Sequence, residues 1–426
     1  MNNPKRILII SAIFFPQPSV GAVRMTQWCR FLPEFGWQPV VLTRYYGYLA
    51  TPELLKEKVH PEVRVEYFNP PAAGSSQVAP KPGWKQQAKL KLAESWLGQM
   101  PVPDMSVGFW RGVRVKALQA IQQYEPAAIL TTSPPHAVHD LGGWLHDQTG
   151  IPWVADFRDP FLIYERPGRT SARRLRWRAR QHFERQIYDK AALITHATPL
   201  HARWARMVYP SARERIVTIY NGFPPEMADP DLTSSLTPND RRSVRVIGFM
   251  SPREVNTLAS AVRRLLDAGV NLELRLVGRL PEGIEHAKQV LGSRLIMPGV
   301  VPHDEAVRQI VGADVLVCMA DQERSRLIGL STKMFEYIAT GKPVIVLNPK
   351  IPDKQFGRGL QGVRMLEMPG EDEMADALVW ALDPNSTPPA AQTVDFREQY
   401  NRRTQAAQLA RYLSDLVSNQ SQAARE

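Results

Sequence analysis

Apolar residues recur along the chain as short runs, each about the length of one strand, at 6–13, 39–43, 63–67, 127–132, 152–157, 192–197 and 216–220. Runs of this length, most of them rich in Ile, Val and Leu, read as strands buried in a parallel sheet. Between them the spacing of apolar positions predicts helices near 22–34, 109–124, 136–148, 171–191 and 200–208. The pattern then restarts. Strands are predicted at 244–249, 272–277, 295–297, 315–319, 343–347 and 363–366, with helices near 254–268, 283–291, 303–312, 331–340 and 371–382. Such βα alternation builds an open, doubly wound parallel sheet.

One restart implies two sheets, and hence an α/β chain of two Rossmann-like domains with a cleft between them. Residues 223–243 carry Pro224, Pro225, Pro230 and Pro238 with few apolar side chains, which is linker chemistry. The expected organisation is therefore a first domain over 1–222, the linker, and a second domain over 244–395. A final helical pattern at 396–416, after the proline-rich stretch 384–389, leads to the expectation that 396–426 crosses back to the first domain. Residues 71–108 interrupt the first domain as an insertion or lid, within which 81–100 is basic and amphipathic.

With 426 residues, 44% hydrophobic and 22% charged, the chain has the composition of a folded globular protein, not of a disordered or fibrous one. No run approaches the eighteen or so apolar residues that a spanning helix needs. Lys5 and Arg6 ahead of the apolar run 7–15 imitate a secretory signal, yet no Ala-x-Ala site follows, and a first buried strand explains the run better. Cys29 and Cys318 are far apart and outside any CxxC spacing, so neither a disulfide framework nor a zinc site is expected and a reducing, cytoplasmic setting is.

Charge divides the halves. Residues 1–222 hold 29 Lys/Arg against 16 Asp/Glu, net +13; residues 223–426 hold 24 against 26, net −2. A basic lobe beside a nearly neutral one points to something anionic at the first: a membrane leaflet, a phosphate-bearing substrate or nucleic acid. No nucleic-acid module accompanies the charge. Two stretches concentrate it. Lys81, Lys85, Lys89 and Lys91 interleave with Trp84, Leu90, Trp96 and Leu97, and Arg169, Arg173, Arg174, Arg176, Arg178 and Arg180 surround Leu175 and Trp177. Both have the makings of an interfacial anchor, although 171–191 reads equally as a solvated helix with Leu175, Phe183 and Ile187 turned to the core.

Ligands of open α/β sheets bind beyond the carboxyl ends of the strands, so residues there carry the candidate chemistry. After the first strand comes Gly21, before a helix carrying Arg24, where backbone N–H groups would face an anion. After the fourth come Thr131-Thr132-Ser133-Pro134-Pro135, His136 and, one helical turn on, His139; after the fifth comes Asp156-Phe157-Arg158-Asp159. Carboxylates accept from sugar hydroxyls and guanidinium donates to phosphate, but the same string also serves as an internal Asp/Arg pair closing a loop. In the second domain Arg253 and Arg279 follow the first two strands. Ser331 or Thr332 caps a helix containing Lys333 and Glu336, whose start favours phosphate and whose carboxylate suits a ribose diol.

Taken together, the glycine loop, Thr132-Ser133-Pro134-Pro135, Pro152-Trp153-Val154-Ala155-Asp156-Phe157-Arg158-Asp159-Pro160, Tyr220-Asn221-Gly222-Phe223 and Lys333-Met334-Phe335-Glu336-Tyr337-Ile338-Ala339-Thr340-Gly341-Lys342-Pro343 resemble the family-4 type of GT-B glycosyltransferase, in order and over nearly the whole chain. The resemblance implies an acceptor-binding first domain and a second domain for a nucleotide-activated sugar. It gives Glu336 the donor ribose, Lys333, Ser331 and Thr332 the diphosphate, and Arg253 the basic phosphate residue. An acidic residue that such enzymes often place eight positions before the ribose glutamate is here Ile328, with Glu323 the nearest acid to replace it. Asp229-Pro230-Asp231 matches the metal string of a different glycosyltransferase class but lies in the linker, and no metal or other cofactor is expected.

The expected activity is glycosyl transfer, with retention, from a nucleotide sugar to a lipid-linked or oligosaccharide acceptor in cell-surface polysaccharide or glycolipid assembly, at the cytoplasmic face of a membrane and without nucleic acid. Catalysis on the acceptor side is expected of His139, Asp156 and Arg158. A nucleotide-sugar epimerase, or a GT-B-like scaffold without chemistry, are the alternatives.

Overall fold

The computed structural model describes residues 4–17, 19–69, 104, 106–162, 170–228, 241–319, 332–347 and 360–423. Two compact units emerge, 1–221 with 403–426, and 222–402.

The first unit follows the order β1 (Lys5–Ser11), α1 (Val20–Phe31), β2 (Trp37–Thr43), α2 (Pro52–Lys58), β3 (Arg64–Tyr67), α3 (Val107–Gly112), α4 (Arg114–Tyr124), β4 (Ala128–Ser133), α5 (Val138–Thr149), β5 (Trp153–Phe157), α6 (Ser171–Lys190), β6 (Leu193–His196), α7 (Pro199–Val208) and β7 (Ile216–Thr218). Its strands pair in parallel in the order β3-β2-β1-β4-β5-β6-β7. The order reverses between β1 and β4, the switch point at which such sheets open to a ligand.

Side chains alternate across this sheet and build a core on each face. Leu8, Ile10, Ile129, Ala155 and Phe157 pack with α5, α6 and α7 on one face. Ile7, Ile9, Leu130 and Val154 pack on the other with Met25, Trp28 and Cys29 of α1 and with Ala406, Leu409, Ala410 and Leu413. Those last four belong to α14, defined below, and each fully buried leucine among them is worth about 1.5–3 kcal/mol.

The second unit runs β8 (Arg242–Ile247), α8 (Pro252–Asp267), β9 (Leu272–Val277), α9 (Glu285–Leu291), β10 (Leu295–Gly299), α10 (His303–Val311), β11 (Val315–Met319), α11 (Thr332–Ala339), β12 (Val344–Leu347), β13 (Val363–Leu366), α12 (Glu371–Leu382) and α13 (Ala390–Tyr400). Its sheet is parallel in the order β10-β9-β8-β11-β12-β13, with the reversal between β8 and β11. α14 (Arg402–Ala423) begins at the last residue of this unit and continues in the first.

Three local features differ from the pattern-based expectation. A helix at 52–58 forms because Thr51 accepts from the Leu54 N–H and Pro52 presets the first turn, although seven residues are too few for a periodic signal. The segment expected as one helix near 109–124 divides at Val113 into α3 and α4. The segment 396–416 also divides, because Asn401 is extended (φ −69°, ψ 151°) and bridges Phe223. Consequently α13, which includes Phe396, belongs to the second unit, and the return to the first falls between Arg402 and Arg403. The start of the expected linker is ordered, with Phe223 in that bridge and a 3-10 turn at Pro225–Ala228. Most of the insertion, including the basic stretch 81–100, lies outside the described residues, as does Asp229-Pro230-Asp231.

Among the described residues no helix is long and apolar enough to cross a membrane. In α6, Trp177, Phe183 and Ile187 turn to the core, whereas Leu175 is 63% exposed among exposed Arg173, Arg174 and Arg178.

Candidate functional site

On the first unit the chemistry collects at the carboxyl ends of β4, β5 and β6. Register decides it: Thr132, Asp156 and Thr195 are partners across the three strands, so their side chains leave the sheet together on one face. Asp156 is completely buried there. Thr132 Oγ1 donates to its Oδ2 at 2.7 Å and Thr195 Oγ1 to its Oδ1 at 2.5 Å. Arg24, rising from α1 on the same face, adds Nη2 to Oδ1 at 2.9 Å and Nε to Oδ2 at 3.3 Å. Four donors fill the lone pairs of one carboxylate. Asp156 therefore has no acceptor capacity left for a sugar hydroxyl and no exposed edge, and the role it fits is positioning rather than contact with a substrate.

Arg24 is the hub of this arrangement. Its guanidinium lies 4.1 Å from the ring centroid of Trp28, one turn along α1, and Nη1 donates to Tyr220 O at 2.9 Å and to Asn221 Oδ1 at 3.2 Å. The pair thus ties β4, β5 and β6 to the segment by which the chain leaves the unit. Gly21 and Arg158 also come together. Arg158 Nη1 donates to Gly21 O at 2.6 Å across the first turn of α1, and a Cβ on Gly21 would stand 3.1 Å from that nitrogen, a tight contact. Arg158 keeps a partly exposed side chain and faces Asp159 at 3.8 Å.

His139 does not join them. It sits on α5, against the opposite face of the sheet, with its ring 4.7 Å from Phe157 and Nδ1 2.7 Å from Thr131 Oγ1. Trp153 Nε1 donates to that same hydroxyl at 2.8 Å, so Thr131 links the indole and the imidazole. Burial pushes this histidine down to about 3. Its neighbour His136, against Phe161, is lowered in the same way, with His139, Arg180 and Arg158 adding to the effect. The helix phase expected from the sequence aimed His139 at the ligand end; the observed helix begins at Val138 and turns it into the core.

On the second unit, Glu336 and Lys333 share α11, and Glu336 is 7% exposed. Tyr337 OH donates to Ile247 O and accepts from Ile247 N–H, both at 3.0 Å, which fixes α11 against the end of β8. Gly248 follows β8 with φ +117°, a Cβ there standing 3.7 Å from Lys333 Cε, and Gly278 follows β9 with φ +128°. Both positions use a backbone region that favours glycine, and the two lie so close that a Cβ on Gly278 would meet Gly248 O at 3.0 Å. The result is a bare backbone edge beside Lys333. Arg253 is exposed in the first turn of α8, and Thr332 opens α11. Ser331, Ile328 and Glu323 lie outside the described residues.

Glu336 has an unusual surrounding for a buried carboxylate. Lys333 Nζ is 3.6 Å from Oε2 and Arg402 Nη2 is 3.6 Å from Oε1, both beyond hydrogen-bond reach. Sequence reasoning missed Arg402, which arrives from the far end of the unit, and likewise missed Arg24 as a partner for Asp156.

Residues 241–383 match the family model described as Glycosyl transferases group 1. Among solved structures, sucrose-phosphate synthase from Thermosynechococcus elongatus is similar over 97% of this chain and 100% of that one, at 17% identity and a TM-score of 0.63. A glycosyltransferase from Rickettsia africae is similar over 98% and 100%, at 13% identity and 0.63. HepE from Anabaena, solved in complex with UDP and glucose, is similar over 96% and 100%, at 15% identity and 0.59. The fold is GT-B. Its second unit contains the stretch that matches the group 1 model, and the likeness to the solved structures extends the GT-B architecture to the whole chain. A search of curated proteins finds no match.

Proposed function

We propose that this GT-B protein transfers a hexosyl unit from a nucleotide sugar to a lipid-linked or oligosaccharide acceptor in the assembly of cell-surface polysaccharide or glycolipid, with retention and without a metal. The observation that carries the reading is Glu336: a buried carboxylate flanked by two cations, with hydrogen-bonding capacity to spare among the described residues, on a helix inside the segment that matches the glycosyltransferase model. Such a group accepts both hydroxyls of a ribose. Lys333 beside it, the start of α11 with Ser331 and Thr332, and Arg253 would offset the charge of the departing diphosphate, which is the task a metal performs elsewhere. On the first unit, Arg158 with the Gly21 turn is the exposed candidate for the acceptor side, while Arg24 and Asp156 hold that edge in shape. The basic face of α6 supports a peripheral position on the anionic cytoplasmic leaflet, where a lipid-linked acceptor would be found.

Incubation with UDP-, GDP- and ADP-sugars and a lipid-linked acceptor, following nucleotide release and the anomeric configuration of the product by NMR, tests this. Release with an acceptor and an α-product from an α-donor is the expected result. Conversion of the donor sugar without acceptor would mark an epimerase, and no reaction with any donor would remove the enzymatic reading. Replacing Glu336 by Gln should weaken nucleotide binding by about 1.5–3 kcal/mol, the worth of a hydrogen bond to a charged group.

A further inference from the structure

Arg402 is 3% exposed, an unusual position for a guanidinium, since burial alone depresses its ionisation. Glu336 and Glu226 oppose that depression. Arg402 is also held firmly from behind. Its N–H donates to Phe223 O at 3.0 Å and the Phe223 N–H donates to Tyr400 O at 3.2 Å, so the two strands of chain at this edge of the second unit are clasped together. Phe335 of α11 packs against Tyr400 with ring centroids 5.5 Å apart, and Phe396 lies 4.7 Å from Tyr400. Arg397 Nε donates to Ala339 O at 2.7 Å and closes the last turn of α11. Helix, clasp and guanidinium thus form one packed block, with Glu336 on its inner side.

We propose that Arg402 is a positioning residue for Glu336, orienting the carboxylate so that its open lone pairs receive the two adjacent hydroxyls of a nucleotide's ribose. The inference rests on the reading of Glu336 given above. At 3.6 Å the guanidinium compensates the charge without occupying the lone pairs; a closer cation would consume them, and the loss of the cation would leave a buried charge unpaired. Lys333 cannot substitute, because it is partly exposed and screened by solvent.

The test is calorimetric binding of UDP, GDP or ADP, whichever binds best, beside its 2′-deoxy counterpart. Wild type should prefer the ribonucleotide by about tenfold or more, the worth of one charge-assisted hydrogen bond. Arg402→Gln should bind the ribonucleotide only as well as the deoxy form, leaving deoxy affinity within about twofold, and Arg402→Lys should recover most of the preference. A folded Arg402→Gln protein with the wild-type ribo/deoxy ratio overturns the inference. Should that variant not fold, Arg402→Met placed in a Glu336→Gln background, where no buried charge is orphaned, completes a mutant cycle. Arg402 acting only through Glu336 predicts no further loss there, and a further loss overturns the inference. Wild type that binds no nucleotide removes the donor reading itself, and wild type that binds both forms equally removes the ribose role of Glu336; each result takes this inference with it and is distinct from a failure of Arg402 alone.

Discussion

Asp156 and His139 leave the first sheet on opposite faces. Asp156 shares its face with Thr132, Thr195 and Arg24, and His139 shares the other with Thr131, Trp153 and Phe157. The adjacent threonines of β4 divide between them, so one strand anchors two unrelated side-chain networks. These networks respond to different perturbations.

Asp156→Asn should destabilise the first unit. Removing one partner from a buried pair strands the other, here Arg24, at a cost of about 3–5 kcal/mol. Chemical denaturation followed by tryptophan fluorescence should show the loss, and nucleotide affinity at Glu336 should stay as in wild type. An Asp156→Asn protein as stable as wild type but slower in turnover would instead restore the aspartate to the reaction.

Acid should weaken the same unit through its histidines. His139 and His196 are buried and His136 is partly buried, and the folded-state pKa values of all three lie below the ordinary value of 6.5, chiefly through loss of hydration. The neutral form is the one that folds, so this contribution is complete above about pH 6.5 and declines as pH falls from there toward about 3, where His139 titrates in the folded state. Each histidine adds at most about 1.4 kcal/mol per pH unit to the slope. Denaturation midpoints measured from pH 7 to 4 should fall, and His139→Phe should flatten the dependence. An unchanged slope in that variant would show His139 to be no contributor.

Gly142→Ala on α5 sets two effects against each other. Alanine in a helix interior gains about 1 kcal/mol over glycine. The added Cβ, however, would lie 2.4 Å from Trp153 Nε1 and 2.7 Å from Thr131 Cγ2, and overpacking typically costs about 1–3 kcal/mol. Overpacking should win, with a lowered melting temperature and an altered Trp153 environment in near-UV circular dichroism. A stabilised variant would mean that α5 can move away from the sheet without loss.

The exposed half of α6 should bind anionic vesicles at low salt and release them as screening grows. Each arginine near such a surface contributes about 1 kcal/mol, so Arg173→Gln, Arg174→Gln and Arg178→Gln together should reduce co-sedimentation more than tenfold. Equal binding to neutral vesicles would refute an electrostatic attachment.

A strand buried on both faces has to be apolar throughout, which made 315–319 legible, and 272–277 and 363–366, though they carry Glu273, Arg275 and Arg364, are also found at the expected bounds. Direction was harder. Whether Asp156 faces α1 or α5 depends on strand parity and on where the strand begins, and a one-residue change exchanges the faces. His139 depended on helix phase in the same way. Arg402 was invisible for a different reason. The apolar spacing of 396–416 is continuous, and the interruption at Asn401 is imposed by Phe223, a partner remote in sequence that no local pattern reveals. Glu336 and Lys333, by contrast, sit one helical turn apart and could be placed together from sequence alone.

The position of α14 has a consequence for biosynthesis. Its Ala406, Leu409, Ala410 and Leu413 complete the core beneath Trp28 and Met25, so the first half of the chain emerges from the ribosome without the helix that seals one face of its own sheet. Domains ordinarily fold in order of synthesis. Here the order is reversed for that face: the second unit has all its strands before the first unit can close, and the nascent chain carries an open apolar surface until α14 arrives.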